Sequence, residues 1–534
     1  MVPAIGCHDE MKEFLGLNPM IVTWLKLLLC VSAVLSSGCM VGPTYVTPDT
    51  QLNKTWIEEA EFGVKQDTAV DAAWWQVFDD PVLVRVIDDA YRNNLDLRLA
   101  GVRVLQAMAV RNVTWGNLWP QSQTIDGSFA RNRSSKNFSP EGLPPPPQNY
   151  WSTWSTSVDA SWELDFWGKI RRSIEAADAQ LDASIADYDS AMVSLVAEVA
   201  STYVRIRAIE ERIEIARRNI KVQERGVFLS QEKFDAGATS LLDVTQARSF
   251  LAQTQAGLAR LEGEYRQAVF QLSALLGSPP TLLEEYLGVP GKIPAAPRNV
   301  AVGAPADLLR RRPDVRFAER TAAAQSALIG VQKANLYPQF YLAGSIGLQS
   351  NKFNHLWETA SWAGVISPGF AWPFLNYGRI KNSVRAQDAA FQVAAINYQN
   401  TVLRAAQEVE SSLAAFRGAQ DQATRLAESQ SQAQRSVDLS LEQYLEGEAP
   451  YTRVLQAQQT LLEVMDRYAS ARSAIATSLI STYKALGGGW EIRAGLRDLV
   501  PRETADEMRR RTDWGDYFER ISTPVAPNTT KVDD

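Results

Sequence analysis

SVDASWELDFWGKIRRSIEAADAQL, residues 157–181, changes its periodicity part-way along. Up to Trp162 the apolar residues occupy every second position: Val158, Ala160 and Trp162 alternate with Ser157, Asp159 and Ser161. That is the pattern of a strand with one apolar face. Beyond Gly168 the apolar positions are Ile170, Ile174, Ala177, Leu181 and Ile185, and the series runs on to Ile220. Fourteen steps cover those 50 residues, about 3.6 residues per step, which is a helical stripe. No proline interrupts 169–235, and Gly226 alone is not enough to end the helix. At 1.5 Å per residue such a helix is about 100 Å long. Helices in compact globular domains average about 11–12 residues, so a compact enzyme is hard to reconcile with this chain.

The same change of period occurs a second time. FWGKIR (166–171) matches NYGRIK (376–381), and FDAGATSLLDVTQA (234–247) matches YLEGEAPYTRVLQA (444–457). Gly168 and Gly378 lie 210 residues apart, as do Gly237 and Gly447. NLWPQ (117–121) returns as NLYPQ (335–339) at an offset of 218, the excess of eight lying around the loop-like PEGLPPPPQNY (140–150). The chain therefore contains two structural repeats, at 81–277 and 305–487, joined by a Pro-rich linker at 278–304 and followed by a charged, poorly periodic tail at 488–534. That tail is expected to drape outside the repeats or to be partly disordered. Pro120 and Pro338 mark where helix gives way to strand, Gly168 and Gly378 where strand returns to helix, and Gly237 and Gly447 where each long helix turns back.

Four strands follow from the two-residue period, at about 121–132, 153–164, 339–350 and 362–373. Each is about ten residues long with one apolar face, the pattern of a transmembrane β-strand. Trp151, Trp154, Trp162, Trp362 and Trp372 near the strand ends form an interfacial girdle. Four strands cannot close a membrane barrel, and an open edge in lipid leaves backbone groups unpaired. Several chains must share one barrel: two give eight strands, three give twelve.

The N-terminus is expected to be an export signal, residues 1–38. Lys26 precedes the apolar run LLLCVSAVL (27–35), too short to span a bilayer, which needs about 20 residues. The acidic 1–19 fits poorly, so translation is expected to start at Met20. Small residues before Cys39 resemble a lipoprotein signal, with Ser36 standing where Leu is usual; Cys39 then becomes the lipidated residue heading a segment at 39–80. Met40 in place of aspartate fits outer-membrane sorting. The three cysteines, Cys7, Cys30 and Cys39, all lie in the first 39 residues, which excludes a disulfide framework in the body. A net charge of -7 gives no support to nucleic-acid binding. Only His8 and His355 are present, without HExxH or paired CxxC, so no catalytic, metal or cofactor site is expected.

The stretches WWQVFDDPVL (74–83), NLDLRLA (94–100), SWELDFWGKIR (161–171), LLRRRPDVRFAE (308–319), GRI (378–380), AQEVESSL (406–413) and YKALGGGW (483–490) run in order along nearly the whole mature chain. Together they resemble the TolC-type outer-membrane factors, most closely the OprM/NodT-like lipoprotein branch. The resemblance implies a mixed α+β membrane protein: a homotrimer whose twelve strands form one outer-membrane barrel and whose helices form a periplasmic tunnel. It implies an exit duct for small molecules, working with a periplasmic adaptor and an inner-membrane transporter of the RND type. It also implies a gate at the glycine turns, where Asp243 and Tyr444 match the family's latch residues. The usual arginine falls on Ala449, and two positions that often carry aspartate are Arg453 and Gln456, so Asp243 is expected to pair with Arg453 within or between protomers. A non-pore periplasmic scaffold and a type I protein-secretion duct are the alternatives. LLRRRPDV is expected to be a helix start with Pro313 in its first turn, and GGGW a helix end rather than a phosphate loop.

Overall fold

The computed structural model describes residues 40–50, 53, 56–57, 73–135, 150–280, 283–297, 310–493, 499–515 and 517–520. The expected signal segment and Cys39 lie outside the described residues, as do residues 136–149, which include most of the Pro-rich loop, and 298–309, which include the end of the linker. The chain divides into two compact units: residues 1–47, 108–180 and 321–394, and residues 48–107, 181–320 and 395–534.

The main elements in chain order are α1 (Pro81–Asn93), α2 (Leu95–Gly116), β1 (Ser122–Arg133), β2 (Tyr150–Leu164), α3 (Lys169–Asp235), α4 (Leu241–Leu275), α5 (Leu283–Leu287), α6 (Pro313–Ala334), β3 (Gln339–Ser350), β4 (Trp362–Ala371), α7 (Arg379–Glu446), α8 (Tyr451–Ala485) and α9 (Arg502–Arg511). The duplication is plain in the lengths: α3 and α7 have 67 and 68 residues, α4 and α8 have 35 each. α3 runs through Gly226 unbroken. None of the helices among the described residues is long and apolar enough to cross a membrane.

In the first unit the four strands form one antiparallel sheet in the order β1-β2-β3-β4. The register sorts the side chains. Ile125 sits opposite Val158 and Val158 opposite Ile346; Phe129 faces Trp154, Phe340 faces Phe370, and Leu348 faces Trp362. Because successive side chains alternate, all of these share one face. The other face carries Asp126 opposite Ser157, Thr124 opposite Asp159, and Asp159 opposite Ser345. The apolar face is uncovered in the single chain, with Ile125 82% and Ile366 79% exposed.

The strand–helix junctions repeat as well. The indole N–H of Trp162 donates to the Leu118 carbonyl at 3.1 Å, and that of its counterpart Trp372 to the Leu336 carbonyl at 3.1 Å, fixing the segments that end at Pro120 and Pro338. Gly168 and Gly378 both take positive φ, +75° and +81°. Asp165 caps α3 by accepting from the backbone N–H groups of Ile170 and Arg171 at 2.8 and 2.9 Å, satisfying donors that a helix start leaves free. Met40 is pinned here: a Cβ on Gly168 would lie 2.6 Å from its side chain, and the next residue, Val41, donates its N–H to the Trp167 carbonyl. Gly42 lies directly on Gly330 of α6, where a Cβ would meet backbone at 2.5 Å.

In the second unit each hairpin end is closed by a glycine. After α4, the N–H of Gly277 reaches the Ala274 carbonyl and that of Ser278 the Ser273 carbonyl; after α8, Gly487 and Gly488 do the same with Lys484 and Tyr483. These paired bonds form the left-handed helix stop that glycine accepts at least cost. GGGW thus ends a helix, and Pro313 stands at the start of α6. Arg312 is buried, with its guanidinium on Asp314 and Glu408. Asp80 caps α1 through the N–H groups of Val82 and Leu83 and also accepts from the Tyr203 hydroxyl at 2.8 Å. Among the described residues of the tail, Arg493 is firmly held. Arg493 clasps the fully buried Asp189 with two bonds of 2.9 and 3.2 Å, and α9 is helical.

Candidate functional site at the hairpin tips

Both tips are built by the same local rule. At the first, the N–H of Gly237 bonds the Phe234 carbonyl and that of Ala238 the Lys233 carbonyl; at the second, Gly447 bonds Tyr444 and Glu448 bonds Gln443. The two glycines have φ of +71° and +82° and open space where a Cβ would stand. Glycine is required here by the backbone turn, not by crowding.

What the tips hold differs. Tyr444, in the last turn of α7, is 4% exposed, and its ring lies 4.9 Å from that of Tyr451, the first residue of α8. With Ala247, Phe250, Val454 and Leu455 they form one apolar cluster joining the second hairpin to the first. The Tyr451 hydroxyl enters a notch made by Gly226, where a Cβ would lie 2.4 Å from it. Lys233 of α3 completes the join: its ammonium donates to the Tyr444 carbonyl at 2.8 Å and sits 4.1 Å from the ring centroid. The Tyr444 hydroxyl is buried and makes no well-formed hydrogen bond among the described residues, although the Thr239 side chain stands near enough to favour its ionised form. Burial first, then the charge of Asp243, holds the Tyr444 phenol above its ordinary pKa, and the same two causes, together with Tyr444, push Tyr451 up to about 12.

The expected pair of Asp243 with Arg453 is not formed within the protomer. Asp243, in the first turn of α4, accepts a hydrogen bond from the Thr239 hydroxyl, while Arg453 reaches back to the Gln443 amide oxygen at 3.3 Å. Asp243 and Arg453 are 210 residues apart, so they occupy the same position on two copies of one hairpin. Each is instead engaged on its own hairpin, Asp243 by Thr239 and Arg453 by Gln443. Gln456 is exposed on α8, where its backbone carbonyl accepts from the Thr460 hydroxyl. Ala449 is buried. Lys233, Thr239 and Tyr451 were not singled out from the sequence, and Gly226 was read only as a glycine that the helix runs through. The repeat alignment carried a signal for Lys233, since its counterpart is the uncharged Gln443.

The outer membrane efflux protein family model matches the chain twice, over residues 86–278 and 304–488. The chain belongs to the outer membrane efflux protein family. Nodulation protein T of Rhizobium leguminosarum bv. trifolii is 30% identical over 475 residues, covering 87% of this chain and 98% of that protein. The toluene efflux pump outer membrane protein TtgC of Pseudomonas putida is 29% identical, covering 88% and 96%. Among solved structures, the outer-membrane channel OprN superposes with a TM-score of 0.79 at 29% identity, covering 85% of this chain and the whole of that one. The family explains the duplication, one model match per repeat. It also makes the chain an outer-membrane efflux channel of TolC-like fold, not an enzyme.

Proposed function

We propose that three copies of this chain form the exit duct of a tripartite efflux system, conducting small molecules from a periplasmic adaptor and an RND-type inner-membrane pump to the exterior. The observation that carries this reading is the sheet. It has an uncovered apolar face, a polar face, and free edges at β1 and β4. Edges in lipid are costly, so β4 of one chain pairs with β1 of the next. Asp126 and Asp159 then line the lumen. The toluene pump relative supports a small-molecule cargo over a polypeptide.

The internal repeat supports a ring and says how it closes. Tyr444 and Tyr451 of the second hairpin pack on the first hairpin at Gly226 and Val227. Moving each residue by the repeat offset puts Leu241 where Tyr451 is, and Ser436 where Gly226 is. Leu241 is 56% exposed in the single chain, and Leu439, the counterpart of Leu229 in the apolar tip cluster, is 51% exposed, whereas Val437, the counterpart of Val227, is already buried within the protomer. The first hairpin of one protomer therefore packs on the second hairpin of its neighbour, a head-to-tail contact that closes into a ring. With Cys39 as the last native cysteine, the test is clean. Leu241→Cys combined with Ser436→Cys and a short dithiol-reactive linker should give covalent trimers with no larger species. A ladder stopping at dimers, or no linkage, would refute the ring.

The gate belongs at the tips, with Gly237 and Gly447 as turns and Asp243, Tyr444, Arg453 and Gln456 around the aperture. Within each protomer Lys233 acts as the clasp; Asp243 and Arg453 are free to meet across protomers. Cys39 carries the lipid: Met40 beside it is held at the strand–helix junction, where an acyl chain enters the membrane next to the barrel. Residues 1–38, read from Met20, are the signal removed beforehand.

A further inference from the structure

Following the apolar face of β1 and β2 away from the helices gives an ordered series of cross-strand pairs. After Gln123 with Ala160 come Ile125 with Val158, Gly127 with Thr156, Phe129 with Trp154, Arg131 with Ser152, and last Arg133 with Tyr150. Phe129 and Trp154 touch at 4.3 Å between ring centroids, and Trp154 meets Phe353 from the β3–β4 connection at 4.9 Å. Both guanidiniums lie over the Tyr150 ring, at 5.8 and 5.2 Å, and Arg131 donates to the Ser152 hydroxyl at 2.7 Å. Both arginines are exposed, and neither has a carboxylate partner among the described residues. Apolar, aromatic and cationic layers thus succeed one another toward the end farthest from the helices. They match hydrocarbon, interface and headgroup in turn.

We propose that Arg131 and Arg133, braced on Tyr150, bind the phosphate groups of the phosphorylated glycolipid in the outer leaflet, once per protomer. This rests on the barrel reading above. The cations stand on the lipid-facing side and not in the lumen, so their partner is a membrane component and not the cargo. Guanidinium suits phosphate because its planar fork donates two parallel hydrogen bonds. Two side chains converging on one ring are also ordered in advance, so less rotamer freedom is lost on binding.

The test titrates the detergent-solubilised full-length oligomer with diphosphorylated lipid A, and with the same lipid stripped of its phosphates, counting bound lipid by native mass spectrometry. With two cations facing the anionic groups, the phosphorylated form should bind about thirtyfold tighter. Arg131→Gln with Arg133→Gln should erase that preference, and Arg131→Lys with Arg133→Lys should keep part of it. Equal binding of the two lipids by the unaltered protein, or a preference surviving the Gln pair, overturns the proposal and leaves the channel reading standing. If the Gln pair does not assemble, the unaltered protein's comparison decides. Failure of the unaltered chain to form an inserted oligomer would overturn both readings.

Discussion

Tyr444 is held through its ring and its backbone carbonyl, while its hydroxyl is buried beside Thr239 with no well-formed hydrogen bond among the described residues. A buried polar group without a partner costs about 1–3 kcal/mol, so Tyr444→Phe should leave the closed tip intact or tighten it. Lys233→Ala removes a charge-assisted hydrogen bond and a cation–π contact. Allowing for partial exposure, that is about 1–2 kcal/mol per chain. In the proposed trimer, summed over three copies, that is enough to move a two-state gate at the tips. Lys233→Ala should therefore raise single-channel conductance in planar bilayers and sensitise cells to large antibiotics, with Tyr444→Phe doing neither. The reverse ranking would return the latch to the Tyr444 hydroxyl and Asp243. Gly226→Ala sets two effects against each other. Alanine favours the helix by about 1 kcal/mol, but its Cβ collides with the Tyr451 hydroxyl. Overpacking costs about 1–3 kcal/mol, so the clash wins, and the variant should leak like Lys233→Ala.

At the scale of the elements, the two faces of the sheet give a sharp contrast between neighbours. Ile346 lies on the apolar face and Ser345 on the polar one. A cation facing lipid near mid-membrane costs about 2–4 kcal/mol in a barrel strand, whereas a lumen position tolerates it. Ile346→Lys should sharply reduce heat-resistant oligomer in the outer-membrane fraction, and Ser345→Lys should leave the amount unchanged while altering ion selectivity. The strands and long helices were legible because each announces itself by a period, two or 3.6, that burial imposes on the sequence. The prediction of strands at 339–350 and 362–373 corresponds to the observed Gln339–Ser350 and Trp362–Ala371. The glycine turns were legible for a related reason: the backbone at Gly237 and Gly447 takes a positive φ that other residues avoid. The tip contacts were not. Whether Asp243 meets Arg453 depends on how two hairpins are rotated about their axes, and no spacing within either hairpin encodes that. Lys233 escaped notice because a lysine in the last turn of a helix has an ordinary reason to be there, the negative end of the helix dipole.

For the whole molecule, two devices could keep the chain in the outer membrane, and their magnitudes differ. A lipid on Cys39 anchors by about 0.8 kcal/mol per buried methylene, firmly when more than one acyl chain is present. The barrel holds by a different rule. A lone sheet of four strands exposes two edges, β1 with 12 residues and β4 with 10. Each unpaired backbone group in hydrocarbon costs several kilocalories per mole, so closing the edges against neighbouring chains outweighs any acyl anchor. Cys39→Ser, exported through an ordinary signal peptide, should therefore lose incorporation of labelled palmitate yet still sediment with the outer membrane as a heat-resistant trimer. Its yield should fall by no more than a fewfold, through slower delivery rather than weaker insertion. Recovery of the unacylated chain as a soluble periplasmic monomer would reverse that order. The lipid would then be what brings three open sheets close enough to seal one another, and the junction that grips Met40 and Gly42 would be a device for assembly.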